Sequence, residues 1–149
     1  MRPRAQTNRI IWHHSLSPPD TAWDDVLGWH RARGFSTWGY HFGIGGDGFE
    51  YRGRAVELVG AHALGRNMDS IGVCLLGNFF KTEPTVAQLE TAQALYHALC
   101  RFYGKRLECE FHRPDGVVGM SSGEAPCPGS KLDRADFLEI VYRGCPYED

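Results

Sequence analysis

The hydrophobic positions of this 149-residue chain form short β-branched or aromatic runs that alternate with longer amphipathic stretches. The short runs predict strands at about 9–15, 38–44, 49–52, 56–59, 70–77 and 107–111. Apolar positions three and four residues apart predict helices at about 23–33, 86–103 and 133–142. No repeat or change in composition divides the chain. The pattern predicts one α/β domain over residues 1–149, with a core of about 9–142 and a central mixed sheet flanked by about three helices.

Turn and capping residues mark several boundaries between these elements. Thr85-Val86-Ala87-Gln88 fits a capping box at the start of the second helix, and Gly104 ends that helix. Asp20 or Thr21 could cap the first helix. The Asp47-Gly48 pair predicts the turn of a hairpin between two short strands.

Composition narrows the functional classes. Hydrophobic residues make up 42% of the chain and the net charge is −2, which is typical of a globular protein without non-specific affinity for nucleic acid. The apolar run after the basic N-terminus is too short for a signal-peptide core or a membrane span, so we expect the chain to be cytoplasmic as synthesised, or to leave the cell by a route that it does not encode. We also expect a monomer. Five cysteines show no disulfide framework, and Cys74 and Cys100 lie in apolar runs where buried thiols are expected.

Candidate chemistry lies at the end of the first strand and near the C-terminus. Side chains alternate along a strand, so one of His13 and His14 faces a site and the other faces away. His112 follows the predicted strand at 107–111, and prolines hold Cys127 on a rigid turn. Imidazole and thiolate are zinc ligands, and a catalytic zinc site keeps one position open for water. Taken alone, however, a histidine at a strand end is more often a core or surface group.

Several motifs together resemble a known family over residues 9 to 142. The chain is similar to the zinc-dependent N-acetylmuramoyl-L-alanine amidases, which include small phage endolysins and the animal peptidoglycan recognition proteins. Any one motif alone would be weak, but their order and spacing are specific. The motifs are Ile11-Trp12-His13-His14-Ser15, Gly39-Tyr40-His41-Phe42, Gly60-Ala61-His62-Ala63, Asn67-Met68-Asp69-Ser70-Ile71-Gly72-Val73, Phe111-His112-Arg113 and Cys127-Pro128-Gly129.

The resemblance implies a ligand set and a reaction. It selects His13 over His14 and adds His112 and Cys127 as ligands of one zinc ion at an edge of the sheet. The implied reaction is hydrolysis of the amide between the lactyl group of N-acetylmuramic acid and L-alanine of the stem peptide. Zinc polarises such a carbonyl and acidifies its bound water. Tyr40 matches the catalytic tyrosine of the family, although a tyrosine in a strand is otherwise a core residue.

The chain departs from the family pattern at two positions. Many members carry Lys or Thr two residues before the ligand cysteine, where this chain has Ala125, and some carry Glu where it has Cys74. The usual second catalytic group is therefore missing from its expected place. Glu124 adjoins the gap and is our candidate general base. The alternatives are a solvated loop carboxylate at Glu124 and an approach of Ser121 or Ser122 to the zinc.

Three residues near the middle of the chain are candidates for substrate binding. The resemblance places His62 in a loop that lines the substrate groove. Arg66 and Asn67 follow it, and a guanidinium pairs well with stem-peptide carboxylates, although a surface arginine is the commoner situation. We expect the other histidines to be structural (His14 and His41) or partly exposed on helices (His30 and His97).

The leading hypothesis is a phage or prophage endolysin that binds peptidoglycan or a muropeptide, binds neither nucleic acid nor membrane, and acts on the cell wall after release. The alternative is a recognition module that binds peptidoglycan without cutting it. Family members of that kind usually lack the ligand cysteine, so Cys127 argues for the enzyme, whereas Ala125 argues weakly for the module. A fourth protein ligand would instead indicate a structural zinc site. Nothing in the sequence speaks for or against a regulatory role such as polymerase binding.

Overall fold

The computed structural model describes residues 1–113 and 126–147, and its elements follow the predicted order. The strands are β1 (Arg9–His14), β2 (Phe42–Ile44), β3 (Glu50–Arg52), β4 (Ser70–Leu75) and β5 (Glu108–Phe111); the helices are α1 (Trp23–Ala32), α2 (Val86–Tyr103) and α3 (Arg134–Tyr142). The strands form one sheet in the order β3-β2-β4-β1-β5, in which β2, β4, β1 and β5 are parallel and β3 pairs antiparallel with β2. This mixed sheet confirms the predicted fold class.

The central strands β1 and β4 are buried on both faces. Side chains alternate along a strand, so Val73 and Leu75 of β4 pack with α2 and α3 in the larger core. Cys74 lies between them and packs on the opposite face, with residues of α1. His13 is the register partner of Cys74 on β1, so its side chain lies on the α1 face of the sheet.

The helix α2 begins and ends where the sequence predicts. The Thr85 hydroxyl accepts the Gln88 N–H at 3.0 Å, and the Gln88 side chain accepts the Thr85 N–H at 3.1 Å, which completes the capping box. The helix ends at Gly104, whose φ of 69° is left-handed. The Gln88 amide also donates to the buried carbonyls of Ile44 and Leu76, so the cap ties α2 to the sheet.

The predicted cap of α1 is wrong. Neither Asp20 nor Thr21 caps the helix; its N-cap is Ala22, which has no side-chain hydrogen bond. The Thr21 hydroxyl instead donates to the Pro18 carbonyl at 2.6 Å, so it stabilises the preceding turn.

Two predicted strands differ from the structure because side chains take the place of ladder partners. The segment at 38–44 is extended as β2 only from Phe42, since the Gly39 N–H donates to His30 Nδ1 and the Trp38 carbonyl accepts from Arg54. The hydrogen bond from the Gly39 N–H also accompanies the burial of His30, which we expected to be partly exposed. The segment at 56–59 is not a strand; its one bridge to another described residue joins Leu58 to the N-terminal segment. Within the described residues, no helix combines the length and the apolar character that crossing a bilayer requires.

Candidate active site

The first two candidate ligands lie side by side because β1 and β5 are parallel neighbours. Trp12 pairs with Phe111 at the end of the ladder, and the His112 N–H donates to the Trp12 carbonyl at 3.1 Å. This hydrogen bond extends the register by one residue, so His13 and His112 are neighbours at the carboxyl ends of the two strands. Their ring centroids are 4.6 Å apart. The carboxyl ends of parallel strands thus bring together two histidines that are distant in sequence.

The third candidate, Cys127, is held against this pair by backbone hydrogen bonds. Cys127 and Arg113 exchange N–H to carbonyl bonds of 2.8 and 2.9 Å, which pair the cysteine with the residue after His112. The His14 N–H points at the Cys127 sulfur at 3.4 Å. One possible ligand atom from each of His13, His112 and Cys127 lies within 4.8 Å of the others, and the residues described contain no other such group of three.

The protonation states of this cluster suit a metal ion. Burial, with nearby His62, His112 and cationic arginines, lowers the pKa of His13 well below its usual value. Burial and the Arg113 guanidinium lower the pKa of His112 to about 4, so both imidazoles are neutral at pH 7. Burial raises the pKa of the Cys127 thiol to about 11. A bound cation would favour the thiolate and release its proton. Two neutral imidazoles and a thiol fit a zinc site with one open position.

Tyr40 lines the cavity into which His112 and Cys127 open. The cavity has a volume of about 650 Å³. The Tyr40 ring centroid is 4.9 Å from that of His13, and the hydroxyl lies within hydrogen-bonding reach of the Cys74 thiol. Burial and Cys74 raise the pKa of Tyr40 well above its usual value, so its hydroxyl remains a hydrogen-bond donor at neutral pH.

His62 lies behind the candidate ligands. It is 8% exposed, and its Nδ1 is 2.9 Å from His13 Nε2. The Asn67 side-chain oxygen accepts the N–H groups of His62 and Ala63, each at 2.9 Å, so Asn67 fixes the backbone of this loop. His62 and Asn67 both line the cavity.

Arg66 turns away from the cavity toward β5. Its guanidinium donates to Glu110 at 3.0 Å and to the backbone carbonyls of Phe111 and His112. Of the three residues predicted to bind substrate, His62 and Asn67 therefore line the cavity and Arg66 does not, and each has side-chain contacts within the protein. Their role in substrate binding stays a prediction.

Other predicted residues are structural or lie outside the described ranges. His14 Nδ1 accepts the Phe79 N–H at 3.1 Å, and His41 Nδ1 accepts the Gly72 N–H at 3.0 Å, as expected for structural histidines. His97 is partly exposed, as predicted. The predicted general base and its alternatives, Glu124, Ser121 and Ser122, lie outside the described residues, as does Ala125.

Sequence reasoning missed Ser70. Its hydroxyl is buried and lies 3.2 Å from His62 Nε2. The only signal was its place in the motif that runs into β4, where a serine at the start of a strand indicates no partner by itself.

The family model described as N-acetylmuramoyl-L-alanine amidase matches residues 3–130, which include all three candidate ligands. The chain belongs to this family. It is 37% identical to the endolysin of Enterobacteria phage T3 over 109 residues, which cover 68% of this chain and 72% of that protein. The resemblance in the sequence motifs is thereby confirmed, and the protein is an amidase related to phage endolysins.

Solved structures support the same family. The N-acetylmuramoyl-L-alanine amidase LysC from Clostridium intestinale superimposes with a TM-score of 0.78 at 29% identity, covering 91% of this chain and 85% of that one. A mutant of Drosophila PGRP-LB in complex with tracheal cytotoxin superimposes with a TM-score of 0.69 at 28% identity, covering 100% and 91%. Amidases and recognition proteins therefore share this sheet and helix arrangement.

Proposed function

We propose that this amidase is zinc-dependent and cleaves the amide between N-acetylmuramic acid and L-alanine in peptidoglycan, with His13, His112 and Cys127 holding one ion. The observation that carries the proposal is the convergence of these three donors beside a cavity. When bound there, zinc supplies a Lewis acid for the scissile carbonyl and for water. The endolysin relatives support action on the cell wall, and the relative solved with tracheal cytotoxin supports a ligand of the muropeptide class.

Tyr40 is the residue that we propose to act on the substrate. Attack on an amide carbonyl develops negative charge on its oxygen, and a fixed hydrogen-bond donor nearby stabilises that charge. Tyr40 lines the cavity, and its hydroxyl keeps its proton at neutral pH. Its ring packs against His13 and His30, with centroids 4.9 and 5.1 Å away, which limits its movement.

Glu124 is our proposed general base. It stands three residues before Cys127 in the sequence, where a carboxylate could take a proton from the attacking water if the chain turned inward. Glu124→Gln should lower kcat and leave zinc affinity unchanged, whereas Glu139→Gln on the exposed face of α3 should alter neither. Equal activity of the two variants would identify Glu124 as a solvated carboxylate.

His62, Arg66 and Asn67 complete the proposal on the substrate side. His62 and Asn67 border the cavity, so the substrate would pass over their loop. Arg66 would act through the position of His112. Truncation of Asn67 should raise KM, because the loop that it braces forms part of the wall of the cavity.

The experiment that tests the function is digestion of purified sacculi, followed by mass spectrometry of the soluble products. We expect stem peptides with a free L-alanine amino group, no release in the presence of a zinc chelator, and recovery on addition of zinc. Cys127→Ser should bind less zinc and release less peptide, whereas Cys145→Ser should match the parent protein, because Cys145 is half-exposed and lies after α3.

Two results would contradict the proposal. Intact sacculi at protein concentrations that show binding would identify a recognition module instead. Release of stem peptides that persists after complete removal of zinc would show an amidase whose chemistry does not need the metal.

A further inference from the structure

A series of buried polar contacts links His13 to His62 and then to Ser70. His13 Nε2 is 2.9 Å from His62 Nδ1, and His62 Nε2 is 3.2 Å from the Ser70 hydroxyl. The Ser70 hydroxyl is in turn 2.6 Å from the Arg66 carbonyl. The first three side chains are at most 8% exposed, so water does not compete for these contacts.

The proton positions along this series of contacts follow from the Arg66 carbonyl at its end. A carbonyl only accepts, so Ser70 gives its single proton to the Arg66 oxygen. The Ser70 oxygen must therefore accept from His62 Nε2, which carries a proton. A neutral imidazole has one N–H, so His62 Nδ1 is the acceptor and His13 Nε2 is the donor. The remaining nitrogen of His13, Nδ1, then carries a lone pair.

We infer that His62 and Ser70 are a positioning pair for the metal site, which fixes the tautomer of His13 so that its Nδ1 is the atom offered to the metal. Histidine ligands commonly donate their second N–H to an oxygen acceptor, which orients the ring. Here the acceptor is a second imidazole, that of His62. The inference rests on the zinc site of the proposed function, but the proton order that it specifies also exists in the metal-free protein.

The loop and the sheet hold His62 in the required orientation. The side-chain oxygen of Asn67 accepts the backbone N–H of His62 at 2.9 Å and so fixes the backbone of the loop. The ring packs directly over Gly72 of β4, where a Cβ atom would collide with it. A His62 ring that is held from both sides cannot turn without breaking its contacts to His13 and Ser70.

The first test reads the protons directly and needs no variant. Long-range proton–nitrogen correlation spectra of the 15N-labelled, metal-free protein should show the Nε2–H tautomer for both His13 and His62. After loading with 113Cd, scalar coupling should appear at His13 Nδ1 and be absent from both nitrogens of His62. An Nδ1–H tautomer of either ring, or coupling to His13 Nε2 or to His62, would overturn the inference.

The second test measures zinc affinity by competition with a chelator. Ser70→Ala should weaken zinc binding by about tenfold or more, the range seen when such supporting contacts are removed. Ser70→Thr retains the hydroxyl and should restore most of the affinity. Tyr96→Phe is the control: it removes a buried 2.7 Å hydrogen bond to the Leu107 carbonyl and should not alter zinc affinity.

The outcomes separate the inference from the function on which it rests. If Ser70→Ala binds zinc as tightly as the parent and its His13 tautomer is unchanged, the positioning pair is refuted while the zinc amidase stands. If the parent protein binds no zinc, the proposed function fails, and the metal-free spectra still report whether the pair orders the protons of His13.

Discussion

The guanidinium of Arg66 donates to the backbone carbonyl oxygen of His112, so the loop before β4 holds the end of β5 in place. The same guanidinium is 3.0 Å from Glu110, which also pairs with Arg9 on β1. A network of ion pairs therefore joins β1, β5 and the loop before β4, close to the candidate metal site. Its geometry matters more than its charge, since the fork of an arginine can contact a carboxylate and a carbonyl together.

Arg66→Lys tests this role. Lysine keeps the charge but loses the fork, so we expect the unfolding free energy to fall by about 1–2 kcal/mol and the zinc affinity to fall by about tenfold. Chemical denaturation and chelator competition measure the two effects. Arg143→Lys is the matched control, because the Arg143 guanidinium makes an exposed 3.2 Å pair with Glu139 and has no other hydrogen bond or ion pair within residues 1–113 and 126–147. Equal behaviour of the two variants would show that Arg66 does not position His112.

Tyr40→Phe separates the reaction from metal binding. The variant keeps the ring that packs against His13 and loses only the hydroxyl. Loss of an oxyanion donor costs about 10²- to 10³-fold in kcat, so we expect a decrease of that size with unchanged zinc affinity. A comparable loss of zinc binding would instead make Tyr40 a structural support of His13.

Cys74→Ala extends the test to the neighbour of Tyr40. The Cys74 thiol is fully buried within hydrogen-bonding reach of the Tyr40 hydroxyl. If the thiol orients Tyr40, the variant should lower kcat by less than Tyr40→Phe does, and the double variant should be no slower than Tyr40→Phe. Additive losses in the double variant would show that the two residues act independently.

The sequence predicts the strands and helices around the site better than the tertiary contacts that hold the candidate ligands in position. β1 and α2 are recognisable because a short apolar run and a capping box are local signals, and both appear where they were predicted. The ligand set came from a family resemblance, because no local pattern distinguishes His13 from His14. The contact of His13 with His62 spans 49 residues and depends on how the loop after Gly60 folds back on β4, which no local signal encodes.

Tertiary contacts made by loop segments also explain why the predictions for His30 and for the strand around Leu58 were wrong. His30 was expected to be partly exposed because it lies on an amphipathic helix, but its Nδ1 accepts the Gly39 N–H at 2.8 Å and the ring is buried. The predicted strand around Leu58 has β propensity but, among the residues that the structure describes, a single bridge partner. Propensity is overridden where tertiary hydrogen bonds compete with the ladder.

Gly72→Ala tests the packing of His62 on the sheet. A Cβ at this position would collide with the His62 ring, so the ring must shift away from His13 and Ser70. We expect weaker zinc binding and a loss of about 1–3 kcal/mol in unfolding free energy, as for overpacked cores. Gly28→Ala in α1 is the control, because no atom of another part of the described structure lies within 4 Å of its added Cβ, and it should raise stability slightly. Unchanged zinc affinity in Gly72→Ala would mean that the ring position does not matter.

Buried histidines predict how the stability of the metal-free protein depends on pH. Burial lowers the pKa of both His30 and His41 to about 4, and His41 also lies beside the cationic Arg4. Between pH 6.5 and 4 the unfolded chain takes up protons that the folded chain does not, so stability is retained above pH 6.5 and lost as the pH falls. Each such histidine adds up to about 1.4 kcal/mol per pH unit to the slope.

His41→Gln should therefore flatten the dependence of unfolding free energy on pH in this range, measured by urea denaturation at several pH values after removal of metal. The variant also loses the contacts of His41 with Gly72 and Leu58, so its stability should be lower at every pH, and the slope is the informative quantity. His30→Gln should reduce the slope by a similar amount, since its ring is buried by an independent contact with Gly39. A slope that matches the parent in both variants would show that these imidazoles gain protons as readily in the folded protein as in the unfolded chain.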